Sequence, residues 1–131
     1  MGFFDKFKSE KDIASKEIKK VPWKEITDLE TLDTLTQESY KKPVAILKHS
    51  TSCGISRMVL RNFEQEYDLK EEDYNLYFLD LLRYREISNK IASRFNVPHQ
   101  SPQLIILKEG KVVYDASHSE VKAESLKPFL S

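Results

Sequence analysis

The stretch Pro43-Val44-Ala45-Ile46-Leu47-Lys48-His49-Ser50-Thr51-Ser52-Cys53-Gly54-Ile55-Ser56 moves from an apolar run, through a polar turn, into a helix-like pattern. An apolar run without polar alternation predicts a strand covered on both faces, as in a parallel sheet. Ser50, Thr51, Ser52 and Gly54 are turn-forming residues, not core residues. Beyond them Ile55, Met58, Val59, Phe63 and Tyr67 recur at helical spacing and predict a buried stripe. The chain's single cysteine, Cys53, falls at the junction of strand and helix. There the unpaired amides of a first helical turn favour the thiolate, the reactive form of the side chain.

Upstream, Val21-Pro22-Trp23-Lys24-Glu25-Ile26 reads as a short strand, with Pro22 suited to an edge or a strand start. Thr27 or Asp28 would cap a helix carrying Leu29, Leu32, Leu35 and Tyr40 on one side, ended by Pro43. Downstream, Lys70-Glu71-Glu72-Asp73 predicts a solvated turn before a second apolar strand within Tyr74 to Leu81. Tyr84, Ile87, Ile91 and Phe95 mark another helix, ended by Pro98. Ser101-Pro102 opens Gln103-Leu104-Ile105-Ile106-Leu107, and Glu109-Gly110 turns that strand into Val112-Val113-Tyr114 as a hairpin. Val121, Leu126, Phe129 and Leu130 predict a short closing helix. The order is β-α-β-α-β-α-β-β-α, an α/β class. Right-handed crossovers on that order predict a mostly parallel sheet with one antiparallel edge and helices on both sides.

The 131 residues suit one domain, read as residues 21–131, preceded by a lysine-rich arm over 1–20 that is flexible or helical. Phe3, Phe4 and Phe7 in that arm fit a frayed helix packing on the domain better than a membrane foot. No apolar run nears the ~20 residues that span a bilayer. The start has no long apolar signal core, and Lys6 stands where a myristoylation signal needs Ser or Thr. Lys and Arg total 21 and so do Asp and Glu, a balance that argues against nucleic acid or an acidic membrane as partner. A lone cysteine excludes an internal disulfide and fits a cytoplasmic setting. The scattered His49, His99 and His118 show no metal-ligand spacing, so no metal is expected.

The element order, with a cysteine after the second strand and a proline opening the penultimate one, resembles the thioredoxin fold. More narrowly, His49-Ser50-Thr51-Ser52-Cys53-Gly54-Ile55-Ser56, with Ser101-Pro102-Gln103 and Ser117-His118-Ser119, resembles the monothiol bacilliredoxin family, the bacillithiol-system proteins called YtxJ. The resemblance implies a thiol-disulfide oxidoreductase that removes bacillithiol from protein mixed disulfides through Cys53. Bacillithiol, or a similar low-molecular-weight thiol, is then a co-substrate, and no cofactor is bound. Ser56 stands where the thioredoxin pattern carries a second cysteine, so the reaction stops at one half. The family pattern often has Pro where this chain has Gly54, which frees the first turn. The resemblance also implies a cis Pro102 facing Cys53, with the Ser101 backbone open to pair with an extended substrate.

Thr51, Ser52, Gly54, Ser56, Ser101, Pro102, His118 and His49 therefore form the expected substrate-binding set around Cys53. Thr51 or Ser56 would offer a hydroxyl to the sulfur. His49 either adds positive potential or points away, and His118 sits on a loop that this fold brings beside the cysteine. His99 reads as solvated. Expected partners are bacillithiolated proteins and a small thiol, with the chain a monomer or a weak dimer. Two further readings stay open: a non-catalytic thioredoxin-like adaptor, and a redox sensor that is itself modified at Cys53.

Overall fold

The computed structural model describes residues 21–130, so the arm read over 1–20 lies outside the described residues. Among the described residues, five strands and three α-helices follow in the order β1 (Lys24–Glu25), α1 (Glu30–Glu38), β2 (Val44–His49), α2 (Gly54–Glu66), β3 (Asn75–Asp80), α3 (Arg85–Arg94), β4 (Gln103–Lys108) and β5 (Lys111–Ser117). A 3-10 turn at Glu71–Asp73 lies between α2 and β3, and two more, His118–Glu120 and Ala123–Phe129, follow β5. The strands form one sheet in the order β1-β3-β2-β4-β5.

β2 is central and buried along its whole length, as its unbroken apolar run predicts. It runs parallel to β3, and β3 runs parallel to β1. The expected single antiparallel edge is corrected: β4 is antiparallel to β2, and β5 is antiparallel to β4. The cause is the long return after α3. Residues 95–102, with Asn96 at φ 54°, carry the chain back to the end of the sheet where β2 finishes. Eight residues can span at most about 26 Å, so even a partly bent segment can undo the travel of the ten-residue α3 at about 15 Å.

Alternation along the strands splits the core into two layers. Ala45, Leu47, Leu76, Leu104 and Ile106 face α2 with Val59 and Phe63. Val44, Ile46, Leu79, Ile105 and Leu107 face α1 and α3 with Leu32, Leu35, Ile87 and Ile91. The β4–β5 turn has Glu109 at φ 54° and Gly110 at φ 75°, the left-handed pair of a tight hairpin. The end of α1 anchors that turn: Glu109 N–H donates to the Ser39 carbonyl at 2.9 Å, and Gly110 N–H to Ser39 Oγ at 2.8 Å.

Three local expectations change. Leu29 and Tyr40 are exposed, because α1 ends at Glu38 and only Leu32 and Leu35 of the expected stripe face inward. The strand over Val21–Ile26 pairs only at Lys24 and Glu25. The closing segment is a 3-10 helix, with Pro128 inside it lacking the donor an α-helix needs.

Candidate active site

Cys53 is the N-cap of α2, in extended geometry at φ −101° and ψ 122°, and is partly exposed. Its own N–H donates to the Ser50 carbonyl at 3.2 Å, closing a turn that lifts it off the end of β2. The neutral thiol makes no ordinary capping hydrogen bond. The amides of Ser56, first, and Ile55 point at the sulfur and draw the pKa of Cys53 below the ordinary thiol value. The Ser56 hydroxyl adds less, and the charge of Arg57 less again. Partial desolvation opposes them without prevailing. This is the electrostatics of a helix start acting on an anion.

Ser56 is fully buried, and its Oγ has no oxygen or nitrogen partner among the described residues. With Val59 and Phe63 it makes the inward face of α2. Ile55 and Met58, expected in the buried stripe, are instead 57% and 55% exposed. Both lie on the outer face of α2, away from the face on which Ser56, Val59 and Phe63 meet the core. Thr51, Ser52 and Gly54 are exposed on the same rim, with Ser52 Oγ 3.4 Å from Ser50 Oγ. The Arg57 guanidinium lies close over Gly54, where an added Cβ would sit 4.0 Å from Nη2.

His49 is buried, tilted against Phe78 at 5.3 Å between ring centres, and its Nδ1 has no partner among the described residues. Burial lowers its pKa and keeps the ring neutral, against the opposing charges of Asp80 and Glu64. It therefore adds no positive potential at the sulfur.

The Ser101–Pro102 peptide bond is cis. Lys48 pairs with Gln103 across the antiparallel β2–β4 ladder, so the loop leaving β2 toward Cys53 and the loop entering β4 through Pro102 share one end of the sheet. Pro102 is buried, and its carbonyl accepts from the His118 N–H at 2.9 Å. Ser101 Oγ is buried without a partner among the described residues. His118 has an exposed side chain and a left-handed backbone at φ 56°. The turn it opens packs along α2, where Ser119 and Val121 share a small groove with Met58 and Val59.

The structure thus brings Cys53, Ser56, Gly54, Thr51, Ser52, Ser101, Pro102 and the His118 backbone to one end of the sheet. It places His49 beneath them as a packed aromatic. Sequence reasoning missed Arg57 and the exposed pair Ile55 and Met58. A cation on the first turn is a readable signal for Arg57. Helical spacing gives none for the pair, because it does not say which edge of the apolar stripe meets the sheet.

Among solved structures, a thioredoxin-fold protein is 29% identical, with 81% of this chain and 91% of that one covered at a TM-score of 0.69. Fasciola hepatica thioredoxin is 19% identical, over 80% and 93% of the two chains at 0.59. Malassezia sympodialis thioredoxin is also 19% identical, over 79% and 84% at 0.59. The two thioredoxins bear on the fold alone. Residues 24–126 match the family described as monothiol bacilliredoxin BrxC. With one partly exposed cysteine at a helix start and a thioredoxin fold around it, the chain belongs to the monothiol bacilliredoxin BrxC family of thiol-redox proteins.

Proposed function

We propose that the protein removes bacillithiol from protein mixed disulfides, in a one-cysteine thiol-disulfide exchange at Cys53. The observation that carries this reading is the sulfur's setting: the chain's one cysteine caps α2, with the Ser56 and Ile55 amides lowering its pKa and a serine at the resolving position. The Cys53 thiolate attacks the bacillithiol sulfur of the mixed disulfide. The bond between that sulfur and the substrate protein breaks as the new bond to Cys53 forms. The substrate cysteine leaves as a thiolate, takes a proton from water, and is restored as a thiol. Ser56 cannot attack the new disulfide, so Cys53 carries bacillithiol until a second small thiol displaces it.

The remaining residues have supporting parts in this proposal. Exposed Ile55 and Met58 offer apolar contact to the substrate protein around its modified cysteine. The Ser101 backbone beside the cis bond accepts an extended segment in strand-like pairing. Arg57, whose charge acts on the sulfur, is the cation among the described residues placed to meet the carboxylates of bacillithiol. The protein's partners are then bacillithiolated proteins and a small thiol, and its setting is the cytoplasm.

Incubation with a bacillithiolated peptide tests the proposal. Mass spectrometry should show bacillithiol added to Cys53 as free peptide thiol appears, and Cys53→Ser should show neither. Transfer equally fast in Cys53→Ser, or none in wild type, overturns it. Slow alkylation of Cys53 with an ordinary thiol titration would instead favour the adaptor reading.

A further inference from the structure

Directly across the β2–β4 ladder from each other, Lys48 and Gln103 are 0% and 1% exposed. Both point into the layer that holds Ile46 and Ile105, opposite the face carrying His49. Lys48 Nζ donates to the Ser88 carbonyl of α3 at 3.2 Å and lies 3.3 Å from His99 Nδ1. An ammonium only donates, so Nδ1 accepts and the His99 proton sits on Nε2. Ser88 Oγ also approaches Nδ1, at 3.3 Å. His99 is exposed on its outer side, but the edge bearing Nδ1 turns inward to the amine, which corrects its reading as simply solvated.

Gln103 works on the same loop. Its Nε2 donates to the Pro98 carbonyl at 3.0 Å, and its Oε1 accepts from the Gln100 N–H at 3.4 Å. Together the two side chains hold Pro98, His99 and Gln100, the three residues that lead into Ser101–Pro102. Among the described residues no carboxylate pairs with Lys48: the ion pairs join Arg94 to Asp33 and Lys127 to Asp68. A leucine or methionine would fill the same space without burying a charge, so packing alone does not account for a lysine here.

We infer that Lys48 and Gln103 form a buried polar clasp that sets the position of the Ser101–Pro102 segment against Cys53, with Lys48 a positioning residue for the exchange reaction. The clasp acts where β2 and the loop into β4 meet, and Lys48 ties both to α3 through Ser88. Loosening it lets the substrate-facing backbone drift while the sulfur, held by α2, stays where it is. The role in exchange rests on the proposed function; the clasp itself does not.

Lys48→Met keeps the volume and removes the donor, whereas Lys48→Gln keeps donors. In Lys48→Met, hydrogen exchange at the amides of residues 99–103 should quicken. Its KM for a bacillithiolated peptide should rise about tenfold, less than the about hundredfold that a full ~1 Å misplacement can cost. Its kcat, and alkylation of Cys53 by iodoacetamide, should stay near wild type. Lys48→Gln should recover most of both losses, and Gln103→Met should reproduce the faster exchange from the other half of the clasp. Wild-type exchange and KM in Lys48→Met, or equal damage in Lys48→Gln, overturns the inference. A wild-type protein that takes no bacillithiol overturns the proposed function instead, and the hydrogen-exchange comparison still reads the clasp.

Discussion

Lys48 and Cys53 are five residues apart, and both have pKa values below the ordinary, for opposite physical reasons. At Cys53 the lowered value favours the charged form: backbone amides face a partly exposed sulfur and stabilise its anion. At Lys48 it favours the neutral form: burial pushes the amine down to about 8 because its charge is poorly solvated. The first arrangement uses donors that any helix start leaves unpaired, so reactivity there adds little cost to folding. The second places a cation in a core layer with, among the described residues, only a carbonyl and an imidazole as partners, which makes the fold less stable. A sulfur at the rim can be activated cheaply; a loop fixed from inside the core cannot.

The largest expected effect breaks the comparison if it fails. A shift from 10.5 to about 8 corresponds to about 3 kcal/mol, at about 1.4 kcal/mol per unit. Below pH 8 the amine is charged both folded and unfolded, and the folded protein bears the whole cost. Between pH 8 and 10.5 the folded amine is neutral while the unfolded one is still charged, so the cost fades. Lost hydrogen bonds to Ser88 and His99 offset part of the gain in Lys48→Met at every pH, by about 1 kcal/mol each. The stability difference between wild type and Lys48→Met should therefore move by about 3 kcal/mol in favour of wild type as pH rises from 7 to 10.5. Urea midpoints across that range measure it. A flat difference would mean that the amine is solvated and that the contrast with Cys53 is false.

A smaller effect separates the two faces of β2 at their next residue. His49 is buried against Phe78 with a lowered pKa, so folding disfavours its protonated form. Above its ordinary value of 6.5 the ring is neutral in both states and no cost arises. As pH falls below 6.5 the unfolded chain binds a proton more readily, and stability drops. His49→Phe should lose less stability than wild type between pH 7 and 5. His99, whose pKa is also lowered, contributes to both proteins and cancels. An equal acid response in the two would place the His49 ring in contact with solvent.

How much of this is legible in the sequence depends on whether the deciding contact is local. The unbroken run Val44–Leu47 becomes a strand buried on both faces, and Glu109-Gly110 becomes the tight turn, because neighbouring residues set both. The position of Cys53 at a helix start is local in the same way. The direction of β4 is not: it depends on how residues 95–102 return over α3, which no period records. Nor does helical spacing show how α2 is rotated on the sheet, which exposes Ile55 and Met58 and turns Ser56 inward. Lys48 is the least legible of all. A lysine after four apolar residues reads as the polar end of a strand, and only the meeting of β2, α3 and the Pro98–Pro102 loop buries it.

The smallest expected effects lie at the sulfur and show which groups set its reactivity. The Ser56 and Ile55 amides come first in lowering the Cys53 pKa, and side-chain substitution leaves both amides in place. Ser56→Ala removes only the hydroxyl contribution, and Arg57→Gln only a solvent-screened charge. Each should raise the midpoint of iodoacetamide alkylation against pH slightly, Ser56→Ala more than Arg57→Gln, with both midpoints still below that of an unstructured cysteine peptide. Added salt should erase the Arg57→Gln difference and leave the Ser56→Ala one, because backbone and buried donors escape screening. A larger shift from Arg57→Gln would reassign the activation from the backbone to a surface charge. Cys53 would then depend on the side chains around it, as Lys48 does, and the contrast between rim and core would reduce to one of exposure.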